Sequence, residues 1–205
     1  SWTYPPDMPG SRIEIYKRVG DVSLNAYIFE PKSHVAADQR PAIVFFFGGG
    51  WRGGTPGQFL PHCQHLAAQG MVAISIDYRV KSRHDAWPQD CLEDAKSAIR
   101  WVRSNAKRLG IDRNRIAAGG GSAGGHLAAA TAIINGFERD SEDTSISSAP
   151  NAMVLFNPAV ALTQVDGLKV VPEDKLADIK ERTQGSPEEI APINHVQKGM
   201  PPSII

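Results

Sequence analysis

The run from Arg115 to Ala132, RIAAGGGSAGGHLAAATA, decides how the rest of the chain is read. It has the pattern of a short apolar strand, a glycine-dense turn and an alanine-rich helix. At its centre Gly120-Gly121-Ser122-Ala123-Gly124 fits G-x-S-x-G, the pattern of a nucleophile elbow. A serine on so tight a strand-to-helix turn is forced into a strained backbone conformation. Only neighbours without bulk let strand and helix approach closely enough for it. The strain lifts the hydroxyl clear of the sheet, and the helix N-terminus beneath it favours developing negative charge. The competing reading is a glycine-rich turn that happens to hold a serine. The flanking strand and helix favour the elbow, so Ser122 is the candidate nucleophile.

Upstream, residues 12–19 and 22–29 alternate apolar and polar around Gly20-Asp21, which predicts a hairpin with one buried face. Residues 41–47 (PAIVFFF) are continuously apolar, as a strand covered on both faces should be. They run into a second glycine cluster, Gly48 to Gly54. A helix is expected from about Gln58 to Ala68, a buried strand over 71–76, and the clearest helix over 89–109, between Pro88 and Gly110. Downstream, the elbow helix stops at Asn135-Gly136 and a polar loop runs to Ser148. An apolar strand spans 152–156, and a short charged helix lies near 173–181. Strands alternating with helices after an antiparallel start predict an α/β fold. Its sheet is mostly parallel, with helices on both faces and an antiparallel N-terminal hairpin. No repeat or linker divides the chain, so residues 1–205 read as one domain.

Ligands of such sheets sit beyond the carboxyl ends of the strands, and both glycine clusters fall there. Acyl transfer needs donors aimed at the oxygen that becomes negative, and losing one such donor costs about 2.7–4 kcal/mol of transition-state stabilisation. The amides of Gly49, Gly50 and Ala123 are the candidate oxyanion hole. A rival reading exists. Gly48-x-Gly50-x-x-Gly53 and Gly119-x-Gly121-x-x-Gly124 both match the dinucleotide fingerprint, and Asp77 closes the next strand where a ribose-binding acid would sit. Against it, Trp51 and Arg52 are bulky for such a turn, and Thr55-Pro56-Gly57 delays the helix that would receive a phosphate.

The 205 residues carry 22 basic and 22 acidic side chains, a balance that argues against nucleic acid or an anionic membrane as the main partner. No apolar run is long enough for a membrane span and no signal peptide is visible, although the chain starts at Ser1 rather than Met. The two cysteines, Cys63 and Cys91, have no metal or disulfide-framework spacing and are expected as buried free thiols. The compartment stays open between cytoplasm and export, as does the oligomeric state.

FFFGGGW at 45–51, IDYRV at 76–80, DAKSAIRWVR at 94–103 and GGSAGGHLAA at 120–129 together resemble the hormone-sensitive-lipase-like esterases of the α/β-hydrolase superfamily, a group that includes bacterial acetyl esterases and acetyl-xylan-esterase-like proteins. The resemblance is good over about 40–160 and moderate in the tail. It implies a serine carboxylesterase acting on small ester substrates, acetyl esters above all and carbohydrate acetates among them. Ser122 would be the nucleophile, and Gly49, Gly50 and Ala123 the oxyanion hole. No metal or organic cofactor is implied. Trp51 and Arg52, beside the loop, are candidates for the substrate pocket, and the charged helix near 173–181 is either a solvated face or a lid.

Two departures from the family stand out. Phe47 occupies the place where the family usually has a histidine before its three glycines, which implies altered loop packing. In this superfamily the acid and then the histidine follow the serine. The acid belongs after the strand that Ser203-Ile204-Ile205 begins, so both are expected to be missing from the chain. His126, one helical turn past Ser122, reads as a packing residue and His195 as a loop-ordering one. His34, His62, His65 and His84 match no catalytic position, the site of an alternative acid reads Asn157-Pro158, and Asp166 lies deep in an irregular loop. The chain therefore reads as an α/β-hydrolase domain without its last strands and helices, or as a non-catalytic ligand-binding member. An edge strand left open at 203–205 would favour oligomerisation or poor solubility.

Overall fold

In β3, Arg40–Phe46, successive side chains leave by opposite faces. Ala42, Val44 and Phe46 join the large apolar cluster on one side of the sheet, whereas Ile43 and Phe45 join a smaller one on the other. A strand buried on both sides needs helices above and below it. The computed structural model, which describes residues 3–205, has that arrangement.

In chain order the elements are β1 (Arg12–Val19), β2 (Val22–Phe29), β3, α1 (Leu60–Ala68), β4 (Val72–Ile76), α2 (Lys81–His84) and α3 (Pro88–Ser104). Then follow β5 (Ile111–Gly121), α4 (Ala123–Ile133), β6 (Ala152–Phe156), α5 (Glu173–Arg182), α6 (Pro187–Ile190) and β7 (Ser203–Ile204). The seven strands form one sheet in the order β1-β2-β4-β3-β5-β6-β7. The first hairpin and the β2–β4 pair are antiparallel, and every pair from β4 through β3, β5 and β6 to β7 is parallel. Cys63 and Ala67 of α1 pack on one face, while α3 and α4 cover the other with Leu92, Ile99, Val102 and Leu127.

The expected elements are present with shifted ends. The first helix is preceded by a 3₁₀ turn, Pro56–Phe59. The helix expected to reach residue 109 ends at Ser104, because the Asn105 amide turns back onto the Trp101 carbonyl at 2.9 Å. Its start is fixed by Pro88 and by Asp90, whose carboxylate accepts from the Trp87 amide at 2.8 Å. Asp94, fully buried, ties the same helix to the sheet by binding Lys17 of β1 and Arg79 beyond β4, each at 2.8 Å. Both cysteines are buried free thiols. In β7, Ile204 is exposed. No helix among the described residues is long and apolar enough to cross a membrane.

Candidate functional site

β3 and β5 are neighbours in the centre of the sheet, so the loops at their carboxyl ends meet. After β5, Ser122 adopts φ 53° and ψ −117°, a conformation that costs a non-glycine residue about 1–3 kcal/mol. Three hydrogen bonds hold it there. The Ser122 amide donates to the Phe156 carbonyl at 3.0 Å, and its own carbonyl accepts from His126 at 2.9 Å and Ala159 at 3.2 Å. Ser122 is exposed between the buried Gly121 and Ala123, and its side chain makes no capping bond to the helix it precedes.

The glycines of the elbow are there for contact. A Cβ on Gly120 would collide with the backbone of Gly124, and one on Gly124 would enter the Phe46 and Phe47 carbonyls of the adjacent strand. The first turn of α4 therefore rests on backbone.

The loop after β3 is fixed just as firmly. A Cβ on Gly48 would lie 2.8 Å from the Gly121 carbonyl and 3.5 Å from Ser122 Cβ, so the two loops touch. Gly49 (φ 137°), Gly50 (φ 62°) and Trp51 (φ 61°) carry the chain through a left-handed turn closed by Arg52 and Gly53 amides on the Gly49 carbonyl. The Gln58 side chain takes the Gly48 amide at 2.5 Å. Phe47 stacks on Tyr78 with ring centres 4.0 Å apart, and the Tyr78 hydroxyl donates to the Phe47 carbonyl at 2.6 Å. An aromatic stack thus occupies the position where the resembling family has a histidine. Among the described residues the amides of Gly49, Gly50 and Ala123 donate to no protein acceptor.

Ser122 opens into a cavity of about 300 Å³. Gly50, Trp51 and Ala123 form the wall beside it, and Leu162, Val171 and Ile179 supply apolar surface. Gly49 and Arg52 lie off this wall. Arg52 turns instead to α5, binding Asp178 at 2.7 Å. The sequence reading weighed α5 as a lid but singled out none of its residues, of which Lys175, Asp178, Ile179 and Arg182 line the cavity. Their spacing of three and four puts them on one helical face, which was the available signal. The helix expected as a solvated face or a lid lines the cavity into which the exposed Ser122 opens.

The histidines are placed elsewhere. His126 is fully buried, with Nε2 donating to the Ile190 carbonyl at 2.6 Å and the Trp51 ring edge-on at 5.0 Å. Burial pushes its pKa down to about 4, so it is neutral. His195 faces the Glu189 carbonyl, His34 is tied to Asp38, and His84 Nδ1 accepts from the Val80 amide. His62 packs among Phe45, Phe59 and Phe156, and His65 lines an apolar groove beside them. None of these side chains lines the Ser122 cavity. Asp77, the candidate ribose acid of the rival reading, is fully buried and accepts from the Tyr4 hydroxyl at 2.7 Å. Burial raises its pKa to about 6, and with no solvent-accessible surface it cannot reach a ligand's ribose. Among the described residues no group of three or more His, Cys, Asp or Glu could hold a metal ion.

A sheet in this order with a strained serine between β5 and α4 defines an α/β-hydrolase. The sequence profile of the BD-FAE family matches residues 27–205, and the chain belongs to that family. Among individual relatives, it is 49% identical to esterase LipC of Mycobacterium tuberculosis over 90 residues, covering 43% of this chain and 22% of LipC. It is 35% identical to carboxylesterase NlhH of the same organism over 134 residues, covering 62% of this chain and 40% of NlhH. The chain thus spans less than half the length of these curated relatives. Esterase 2 of Thermogutta terrifontis, solved phosphonylated by sarin, superposes with a TM-score of 0.94 at 49% identity, covering 99% of this chain and 74% of that one. The same esterase has been solved with butyrate bound, at a TM-score of 0.91 and 49% identity, covering 100% of this chain and 74% of that one.

Proposed function

We propose that the protein is a serine carboxylesterase that hydrolyses short-chain esters, acetyl esters foremost and carbohydrate acetates among them, through an acyl-enzyme. Ser122 attacks the ester carbonyl, and the amides of Gly50, Gly49 and Ala123 hold the oxyanion. The observation that carries this reading is the exposed, uncapped Ser122 hydroxyl at φ 53°, set at a helix N-terminus beside a loop with free amides. The names of the relatives and the butyrate held by the Thermogutta esterase support the ester class and a short acyl chain. A cavity of about 300 Å³ suits a small substrate.

A serine hydroxyl needs a base at neutral pH, and the histidines described above do not face it. In the proposed reaction a histidine and its carboxylate come from outside residues 1–205, and these residues form most of a single α/β-hydrolase domain. The same placement of histidines favours a second reading, a protein that binds ester-like ligands without turning them over.

Hydrolysis of a chromogenic acetate ester, beside a Ser122→Ala control and mass-spectrometric labelling with paraoxon, tests both. The esterase reading expects turnover that drops by roughly 10³-fold or more in the variant, and a single adduct on Ser122. Equal rates in the two proteins would overturn it. No turnover and no adduct from the full gene product would favour the binding protein.

A further inference from the structure

The wall of the Ser122 cavity has two halves of different character. Leu162, Val170, Val171, Pro172 and Ile179 make one side apolar, while Lys175 and Arg182 bring two cations to the other. Asp178 stands between them, but both of its oxygens are engaged, one by Arg52 and one by Arg182. These two arginines hold its carboxyl below the usual range, with the hydrogen bond from Arg182 the largest cause. The four groups therefore carry a net positive charge. Among the described residues Lys175, itself exposed, pairs only with its exposed neighbour Asp174, at 3.3 Å. The Arg182 guanidinium reaches across to the oxyanion loop, with Nη1 3.5 Å from the Gly50 carbonyl. Its Nε–H is buried and has no acceptor among the described residues. Arg182 is half-buried, and with Lys175 it puts two cations on the wall of a cavity that also holds a candidate nucleophile, a setting that suits an anionic ligand.

We propose that Arg182, with Lys175, forms a subsite for an ionised carboxylate on the substrate, so that of two short-chain esters of equal length the one carrying a second, anionic carboxyl group is bound more tightly. This rests on the esterase reading for the reaction but not for the binding. A guanidinium donates to a carboxylate through several N–H groups at once, and the apolar half of the wall takes the intervening methylenes. Asp178 holds Arg182 through its Oδ2, so the charge is fixed on the cavity wall before a ligand arrives.

The test uses two unhydrolysable amides of equal chain length, butyranilide and succinanilate, the second ending in a carboxylate. Calorimetry on the intact protein at low salt is expected to give at least tenfold tighter binding of succinanilate. The preference should vanish in Arg182→Met, persist in part in Arg182→Lys, and shrink as salt is raised. Equal affinities, or a preference that survives the Arg182→Met, Lys175→Met pair, would overturn the proposal. Rates on the 4-nitrophenyl esters of butyrate and succinate separate the two ideas. Butyrate turnover without an anion preference sinks the subsite and leaves the esterase. Tight succinanilate binding without any turnover sinks the esterase and leaves the subsite.

Discussion

The floor and the cover of the cavity are built on different principles. The floor is backbone against backbone. Gly120 rests on Gly124, Gly124 rests on the carbonyls of Phe46 and Phe47, and Gly48 rests on Gly121. The cover, α5, packs Ile179 on the core but otherwise meets the rest of the protein through polar groups, Arg52 on Asp178, Arg182 near Gly50, and Gln89 on the Thr183 carbonyl. Atoms in a fixed backbone have no second position to move to, whereas long charged side chains have many. A strained serine can persist only on the first kind of support. A surface that admits and releases ligands is better made of the second.

The largest effect should come from placing one methyl group in the floor. Gly124→Ala drives a Cβ into the Phe46 and Phe47 carbonyls at the end of β3, where relaxation would break the sheet. We expect a loss of about 3 kcal/mol or more in urea unfolding, at or above the upper end of overpacking costs. Gly136→Ala, at a positive φ of 82° but with nothing within 4 Å, should lose only about 1 kcal/mol. Similar losses in the two would break the contrast.

Next comes a pair of opposed pH effects beneath the glycine loop. His126 titrates near 4 in the folded chain and near 6.5 when unfolded, so the unfolded state binds more protons between those values. Its contribution to stability is complete above pH 6.5 and falls by roughly 3 kcal/mol on the way to pH 4. Asp77 behaves oppositely. Its folded pKa of about 6 exceeds the ordinary 3.8, so lowering the pH from 6 to 4 restores about 3 kcal/mol to the folded state. The two largely offset each other between pH 4 and 6. Unfolding measured across that range should show His126→Gln gaining on the wild type as pH falls and Asp77→Asn losing ground. Parallel curves for all three proteins would remove the assignment.

Where floor meets cover the effect should be intermediate. Gly50→Ala strains a residue at φ 62° and brings a Cβ within 2.7 Å of Arg182 Nη1, which is the movable end of a side chain. A stability loss of about 1–2 kcal/mol is expected. Ester turnover should fall by more than that loss explains, because the loop amide moves with it. Turnover that follows stability alone would mean the Gly50 amide has no part in the reaction.

The smallest effect belongs to the cover itself. Arg52→Gln removes one exposed partner of Asp178 and should leave the melting midpoint unchanged. Limited proteolysis between residues 163 and 186 should nonetheless become faster. An unchanged cleavage pattern would mean that Arg52 does not help to hold α5 down.

The sequence made the floor readable and the cover much less so, for the same reason. Gly120, Ser122 and Gly124 are demanded by local geometry, and the spacing of β3 and β5 from their helices places the two glycine loops on one edge. The face of α5 depends on docking to distant residues. Lys175 and Arg182 look like surface charges until Gly50 and Ser122 lie beside them. Where Arg52 points was hidden for a related reason. It sits next to the loop in sequence, but its charge is drawn to Asp178, which lies far along the chain. The early end of α3 at Ser104 was hidden because Asn105 stops the helix through a side-chain bond, while the apolar pattern runs on to Leu109.

The meeting of Gly48 with Gly121 and Ser122 also sets an order of events in time. The two loops are separated by about 70 residues of chain, and β3 cannot pair with β5 until α3 has been made. Contacts of such long range form late, after the cost of closing a large loop has been met. During synthesis the glycine loop must therefore wait, with PAIVFFF unpaired on its β5 side, until the elbow strand has left the ribosome. That interval is when the nascent chain is most exposed to aggregation and most in need of a chaperone.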